Sequence, residues 1–213
     1  MIHFIYGEDL DNFPILRDTM FKDRATQFKT RLNWEVTVNS TGHEIDQYDT
    51  LNPLYVIYEL PDGTHGGSVR FLPTTGQTMV NDHFLDLTDG VRIESPLIWE
   101  CTRFCVSPRA ETSEAGRIAA SLMISSCEMG LQFGARDSVG VFDARMVRIY
   151  RRIGWEPTVL GTKGEGRDKT SVGLWELTEE ALELMCERSQ ISRETSKAWF
   201  NKGFSYGAKT KAA

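Results

Sequence analysis

Several features that assign a sequence to a well-known class are missing here. The chain has no apolar run close to the roughly 20 residues of a membrane-spanning helix, and residues 1–6 show no basic stretch leading into a long apolar one. The four cysteines, at positions 101, 105, 127 and 186, contain no Cys-x-x-Cys pair, which argues against a zinc site. We therefore expect a cytoplasmic protein with no membrane span and no metal, in which disulfides do not form.

Positive charge is also scarce. Lys and Arg number 24 against 30 Asp and Glu, and the formal net charge of −6 argues against nucleic acid as the main partner. The 213 residues, 40% of them hydrophobic, are enough for one sizeable core. Because no internal repeat or linker divides the chain, we predict one domain over residues 1–213, with a frayed tail from about residue 203.

The hydrophobic pattern predicts an α/β fold. Strands are expected near residues 1–6, 54–60, 67–72, 99–106, 138–142, 158–160 and 171–177. Helices are expected near 11–28, 114–133, 144–153, 179–189 and 193–202, with a short one within 73–97. Because antiparallel strands come first and strand–helix–strand units later, we predict a single mixed β-sheet flanked by helices.

The predicted strand 99–106 carries two charged residues, Glu100 and Arg103, among aromatic and β-branched neighbours. Burying a charge is costly unless it is paired, so these residues form either a structural ion pair or a reactive site. On a regular strand they would face opposite sides, unless a bulge rotates one of them. A buried glutamate is a suitable general base for an amine.

Two further groups of residues have both a functional and a plain structural interpretation. Arg24 and Phe28 are four residues apart on a predicted helix, and with Trp34 they could hold an adenine ring or a sulfonium ion by cation–π contact. Glu44, Asp46 and Asp49 repel one another unless a cation neutralises them, and they lack the calcium-loop pattern. Spacing alone favours a solvated arginine and a solvated acidic loop.

The order and spacing of these residues resemble one known family, the acyl-homoserine-lactone synthases, which are the autoinducer synthases of bacterial quorum sensing. No single motif is specific, but the ordered set is. The dense match covers about residues 20–106, and the later Gly154-Trp155 is also typical of the family. The matching motifs are Arg24-x3-Phe28, Arg31-Leu32-x-Trp34-x-Val36, Glu44-Ile45-Asp46-x-x-Asp49, Gly67-x-x-Arg70-Phe71-Leu72-Pro73-Thr74, Phe84 and Trp99-Glu100-x-Thr102-Arg103-Phe104.

The resemblance implies a twisted mixed sheet like that of the acetyl-CoA-dependent N-acetyltransferases, splayed open to hold a pantetheine thioester. It implies two substrates and no further cofactor: S-adenosylmethionine, and an acyl thioester carried by acyl carrier protein or, in some members, by coenzyme A. The methionyl amine attacks the thioester. The methionyl carboxylate then displaces the sulfonium, which releases methylthioadenosine and the acyl-homoserine lactone.

The resemblance also implies roles for individual residues. Glu100 would take the amine proton, and Arg103 would orient Glu100 or bind the substrate carboxylate. The acyl pocket would include Thr102, Gly140 and Phe142. Many family members that use 3-oxoacyl chains have a threonine where Gly140 stands, so we do not expect a 3-oxo substrate. The residues implied to bind S-adenosylmethionine or to form an electrostatic cluster beside it are Arg24, Phe28, Trp34, Glu44, Asp46, Asp49, Arg70 and Phe84.

The predicted helix after strand 138–142 carries Arg145, Arg148 and Arg152 at spacings of three and four, so they would form one stripe. Because acyl carrier protein is strongly acidic, the stripe is a candidate dock, with Lys163, Arg167 and Lys169 as possible additions. The alternative is an ordinary solvated helix face.

Two other functions remain open from the sequence. The first is an N-acyltransferase of the same fold that acts on another amine. Its glycine-rich pyrophosphate loop would follow the central strand, yet residues 108–117 offer only Gly116. The second is a non-catalytic module that binds S-adenosylmethionine or an acyl carrier, which would not need Glu100.

Overall fold

The fold is described from a computed structural model, which covers residues 1–166 and 169–210, apart from the side chains of residue 112 and residues 205–210. The strands are β1 (Ile2–Tyr6), β2 (Leu54–Glu59), β3 (His65–Pro73), β4 (Ile98–Val106), β5 (Asp137–Asp143), β6 (Thr158–Lys163) and β7 (Thr170–Glu176). The helices are α1 (Pro14–Arg24), α2 (Met79–His83), α3 (Thr112–Gln132), α4 (Val147–Ile153), α5 (Glu179–Ser189) and α6 (Arg193–Thr210).

The strands form one seven-stranded mixed sheet in the order β1-β2-β3-β4-β5-β7-β6. Strand β1 is antiparallel to β2, and β7 is antiparallel to both β5 and β6. Strands β4 and β5 are parallel, and their register joins residues 98–100 to 137–139. The mixed α/β class predicted from the sequence is confirmed, with antiparallel strands first and the strand–helix–strand unit later.

The chain clusters into two compact units, so the prediction of one domain stays a prediction. The first unit comprises residues 1–70, 103–125 and the chain from Ser196 onward. Helix α1 begins with Pro14, whose fixed φ suits the first helical position. Its apolar side packs onto β1 and β2 in a core of Ile5, Leu10, Leu16, Met20, Phe21, Tyr55 and Ile57.

The second unit comprises Phe71–Thr102 and Ser126–Thr195. One face of its sheet packs Val139 and Val172 against Val80 and Leu87. The other face carries Ser138, Gly140 and Phe142, because side chains alternate along β5. Helix α4 ends at Gly154, which adopts the left-handed conformation with φ 89°, as the sequence predicted.

Several element boundaries differ from the sequence prediction, among them those of α4, β6 and α6. Helix α4 starts at Val147 and not near residue 144, because the carboxylate of Asp143 accepts the Arg145 N–H at 2.8 Å and holds a turn there. Strand β6 extends to Lys163, which shortens the loop before β7. Helix α6 continues to Thr210 where a frayed tail was expected, and residues 211–213 lie outside the described part of the chain.

Candidate active site

A buried network of charges occupies the first unit. Arg24, which is 1% exposed, donates from Nε to Glu44 at 2.6 Å and from its two terminal nitrogens to Asp49 at 2.9 Å each. Glu44 is fully buried, at 0% exposure. Neither Arg24 nor the acidic stretch is therefore solvated as spacing alone suggested. The network comprises three guanidinium and three carboxylate groups, from Arg24, Arg70, Arg103, Glu44, Asp46 and Asp49.

The other two arginines complete the network. Arg70 donates to Asp46 at 3.0 Å and to Asp49 at 2.8 Å. Arg103 contacts Asp46 at 2.7 Å and Glu44 at 3.0 Å. Each carboxylate thus meets two guanidinium groups, and the formal charges cancel. Buried charges are tolerated when they are paired and hydrogen-bonded in this way.

The spacing of Asp46 and Asp49 has a local cause. Asp46 precedes a single 3-10 turn, Gln47–Thr50, and accepts the N–H of Tyr48 at 2.9 Å and that of Asp49 at 3.2 Å. In return, Asp49 accepts the N–H of Asp46 at 2.8 Å, which makes a reciprocal capping box. The turn therefore fixes both carboxylates by backbone hydrogen bonds that do not involve the arginines.

Asp49 and Arg24 stabilise each other's charged form. Burial acts to raise the pKa of Asp49, but the charges of Arg24 and Arg70 outweigh it and hold that pKa below its usual range. Burial acts to lower the pKa of Arg24, yet Asp49 and Glu44 keep it above its usual value. The Tyr55 hydroxyl donates to Asp49 at 2.6 Å, and burial together with the Asp49 charge raises the pKa of Tyr55.

The aromatic contacts differ from the sequence prediction. Phe28 stacks on Trp34 with ring centroids 5.1 Å apart and an interplanar angle of 8°. It is Arg103 whose guanidinium lies 5.5 Å from the Phe28 centroid, while Arg24 lies 5.0 Å from Phe21. Residues 25–31 form a π-helical segment, so the four-residue spacing no longer puts Arg24 and Phe28 on one face.

Arg103 lies in β4 with φ 54°, a left-handed conformation that is uncommon for a residue other than glycine. This interrupts the regular strand geometry that would put Glu100 and Arg103 on opposite faces. Backbone geometry of this kind persists where surrounding contacts fix it. Here the contacts with Glu44 and Asp46 hold the side chain.

Glu100 lies in the second unit and is fully buried, at 0% exposure. Its Oε2 accepts the N–H of Met79 at 3.0 Å, and its Oε1 accepts the N–H of Val80 at 2.6 Å. The carboxylate thus caps the first turn of α2, where the positive end of the helix stabilises negative charge. Sequence reasoning missed this role, because the cap comes from a strand 20 residues away.

The residues assigned to the acyl pocket do not form one wall. Thr102 alternates with Cys101 along β4 and so belongs to the Glu100 face, whereas Gly140 and Phe142 belong to the opposite face. A Cβ on Gly140 would lie 2.8 Å from the Cys101 Sγ and 2.9 Å from its carbonyl oxygen. Phe84, assigned to the S-adenosylmethionine cluster, is partly buried and packs against the core of the second unit.

The predicted basic stripe on α4 is partly wrong. Arg145 precedes the helix and pairs with Asp143 at 3.0 Å, because of the turn described above. Arg148 and Arg152 lie on α4 and are exposed. Lys163 pairs with Asp86 at 2.7 Å, Lys169 is exposed, and Arg167 lies outside the described residues.

Within residues 1–166 and 169–210, no group of three or more His, Cys, Asp or Glu side chains is arranged to hold a metal ion. In the same part of the chain, no helix has both the length and the apolar character of a membrane span.

The strand order and the mixed sheet define the class of protein as an N-acyltransferase fold. An acyl-CoA N-acyltransferase from Pseudomonas aeruginosa superposes with a TM-score of 0.54 over 82% of this chain and 98% of its own, at 13% identity. The structure of BjaI, described as a CoA-dependent acyl-homoserine lactone synthase with SAM and isopentyl-CoA, reaches 0.78 over 94% and 98%, at 22% identity. Both comparisons show similarity of fold.

Sequence comparison identifies the family. The family model described as autoinducer synthase matches residues 11–184. An acyl-homoserine-lactone synthase from Rhizobium etli is 40% identical over 184 residues, which cover 85% of this chain and 85% of the relative. The chain therefore belongs to the autoinducer synthase family, as its motifs suggested, and its activity is that of an acyl-homoserine-lactone synthase.

Proposed function

We propose that the protein transfers an acyl group from a thioester to the amine of S-adenosylmethionine and then closes the lactone with release of methylthioadenosine. The observation that carries this proposal is the charge-balanced arginine–carboxylate network in a member of this family. In that network Arg103 lies over the Phe28 ring, and Phe28 stacks on Trp34. The solved BjaI complex, which contains SAM and isopentyl-CoA, supports the same two classes of substrate.

The stacked aromatic pair suits the nucleoside end of S-adenosylmethionine. Trp34 is 38% exposed and so offers a ring edge and face to a ligand, whereas Phe28, at 2%, supports it from beneath. A π surface attracts both an adenine ring and a sulfonium cation. The charge network makes this platform rigid, because Arg103 is fixed by Glu44 and Asp46. We propose that the network positions the nucleotide pocket and takes no proton.

Glu100 is our candidate for the base that accepts the proton of the attacking amine, directly or through one water. The two N–H donors of α2 bind one to each carboxylate oxygen. Those donors fix the carboxylate in one orientation. Because burial excludes bulk solvent, a proton transferred to Glu100 would not exchange freely with water.

The substitution Glu100→Gln tests whether Glu100 is the general base. The amide keeps the shape but presents an NH₂ group toward one backbone N–H, so we expect a rate loss of about 10²–10⁴-fold and a modest loss of stability. Turnover and urea unfolding should be measured together. Normal turnover in the folded variant would show that Glu100 only caps α2.

The acyl donor is proposed to be acyl carrier protein, with acyl-CoA as the alternative. The exposed Arg148 and Arg152 on α4 favour an acidic protein donor, and the missing glycine-rich loop after β4 counts against simple use of coenzyme A.

Product analysis separates the candidate functions. Purified protein should be supplied with S-adenosylmethionine and acyl donors on both carriers, and methylthioadenosine and lactone should be measured by mass spectrometry. The synthase makes both products. An N-acyltransferase that uses another amine would release no methylthioadenosine, and a binding module would consume neither substrate.

A further inference from the structure

We propose that Asn81 is a positioning residue for Glu100, because it locks α2 in the place where the helix presents two N–H groups to the Glu100 carboxylate. This inference rests on the proposed function, since it deepens the role that Glu100 has there as the base. Asn81 is not among the residues of the matching family motifs, and it is 2% exposed. A polar side chain buried to this extent has a structural or functional reason to be there.

The Glu100 carboxylate depends on α2 for its orientation. Its two oxygens accept the N–H groups of Met79 and Val80, at 3.0 Å and 2.6 Å. Helix α2 has only five residues, and a helix of that length is not stable by itself. A slide or rotation of α2 would move both donors, so Glu100 is held only as firmly as the helix is.

The residue that precedes α2 does not cap it. Thr78 occupies the N-cap position, where a threonine hydroxyl usually accepts an N–H of the first turn. Its side chain makes no such bond, and its buried Oγ1 has no hydrogen-bond partner among the residues that the structure describes. The donors of the first turn are thereby left to Glu100. The position of α2 must therefore come from contacts with other elements.

Asn81 supplies a directional contact of this kind. Its Nδ2 donates to the carbonyl of Ile93 at 2.8 Å, and its Oδ1 accepts the Ile93 N–H at 2.9 Å. Because a backbone N–H can only donate, this pair of bonds fixes which end of the amide points where. The neighbouring Val80 packs into an apolar core with Val139 and Val172. Apolar packing is not directional, whereas the two hydrogen bonds oppose rotation of the helix.

The segment that Asn81 binds is itself fixed to the sheet. Ile93 packs against the same apolar core. The Ser95 N–H donates to Oγ1 of Thr74 at 3.0 Å, and the Thr74 hydroxyl lies 2.9 Å from the carbonyl oxygens of Ser95 and Ile98. Thr74 directly follows β3, and Ile98 begins β4. The contacts therefore lead from the sheet, through this segment and Asn81, to α2.

Asn81→Leu tests the proposal, because leucine has a similar volume but cannot hydrogen-bond to Ile93. We expect kcat for lactone formation to fall by about 10–100-fold, since small misplacements of a reacting group have effects of this size. The KM of each substrate should stay near its wild-type value. Gln77→Ala removes an exposed amide bond to Asp82 of the same helix and is the matched control, which should change neither constant. A rise in KM with kcat unchanged would overturn the proposal.

Deuterium exchange tests the same proposal without turnover. The Met79 and Val80 amides should exchange faster in Asn81→Leu, because the helix that presents them to Glu100 is loosened. The amides of β7, which is paired with a strand on each side, should keep their wild-type rates. Unchanged exchange at Met79 and Val80 would contradict the proposal. Faster exchange throughout the sheet would also contradict it, because the variant would then have lost stability in general.

A double-mutant cycle separates positioning from a general structural role. If Asn81 acts through Glu100, Asn81→Leu should cause no further loss of kcat in the Glu100→Gln background, because residues that act as a unit are not additive. An equal fold-loss in both backgrounds would overturn the proposal. If Asn81→Leu does not fold, Asn81→Ala replaces it in each measurement, since the smaller side chain leaves room for a water to bind Ile93.

Failure of the proposed function is recognised separately. Normal turnover in Glu100→Gln alone, or a wild-type protein that releases no methylthioadenosine, would count against the proposed function. The exchange rates of Met79 and Val80 would still decide whether Asn81 holds α2, and they also decide it where Glu100→Gln has no measurable turnover.

Discussion

At the scale of single residues, Asp49 holds the charge network together. It accepts hydrogen bonds from Arg24, Arg70, Tyr55 and the backbone of Asp46. Asp49→Asn leaves two buried guanidinium groups short of a negative partner, and we expect a loss of about 3–5 kcal/mol in the free energy of unfolding. Urea titration at neutral pH measures this loss. Asp11→Asn, at an exposed pair with Arg17, is the control and should cost less than about 1 kcal/mol.

The same residue predicts how stability depends on pH. The folded-state pKa of Asp49 lies below its unfolded value of about 3.9, so its contribution is complete above that value and is lost as the pH falls below it. The stability difference between the wild type and Asp49→Asn should therefore narrow below about pH 4. A constant difference down to the acid limit would mean that the network does not depend on the Asp49 charge.

The cysteines show how burial removes reactivity. Burial raises the pKa of Cys101 to about 11 and that of Cys127 to about 12. It also raises the pKa of Cys105 well above the usual range. At pH 8 the thiolate fraction of Cys101 is then on the order of one in a thousand, so acyl transfer should not pass through a thioester on the protein.

Alkylation of the native protein should be slow at these three thiols and fast after denaturation, as followed by mass spectrometry. Rapid labelling of Cys101, or an acylated enzyme, would contradict this.

At the scale of elements, Gly140 shows how closely β4 and β5 approach where their register ends. A Cβ there would lie 2.9 Å from a backbone carbonyl, which a rotamer change cannot move. We expect Gly140→Ala and Gly140→Thr each to destabilise the fold by about 1–3 kcal/mol and to favour shorter chains. Thermal unfolding and product profiles measure the two effects. Gly76→Ala is the control, because a Cβ there would meet the Pro73 carbonyl oxygen at an ordinary contact distance of 3.7 Å.

The two variants Gly140→Ala and Gly140→Thr also test what the sequence analysis inferred about Gly140. That interpretation expected a threonine hydroxyl to favour 3-oxo chains. If so, only Gly140→Thr should shift the products toward 3-oxo lactones. An equal shift in Gly140→Ala would assign the effect to strand displacement.

The elements themselves were largely predictable, because strand and helix patterns are local. The capping of α2 by Glu100 was not predictable, because the donor Val80 and the acceptor Glu100 are 20 residues apart and lie on different elements. The pairing of Arg103 with Phe28 was also hidden, because a π-helical segment replaced the regular turn that the spacing assumed. The motifs predicted which residues form the charge network. Which arginine pairs with which carboxylate depends on the tertiary fold.

At the scale of the whole molecule, net charge and local charge have opposite signs. The chain carries a formal charge of −6, yet Arg148 and Arg152 stand exposed on α4, and Arg145 is excluded because it pairs with Asp143. An acidic carrier protein would be attracted to these two exposed positive charges. Attraction of this kind raises association rates and is screened by salt.

The double variant Arg148→Glu/Arg152→Glu should therefore raise the apparent KM for acyl carrier protein by about 10-fold at low salt. It should also flatten the salt dependence and leave the KM for S-adenosylmethionine unchanged. Lys197→Glu/Lys202→Glu, on exposed positions of α6, lowers the formal charge by the same amount and is the matched control. If both double variants raise KM equally, the effect belongs to net charge and α4 is not the dock. A clear preference for acyl-CoA over acyl carrier protein would remove the reason for a basic dock, because the donor would then be a small molecule.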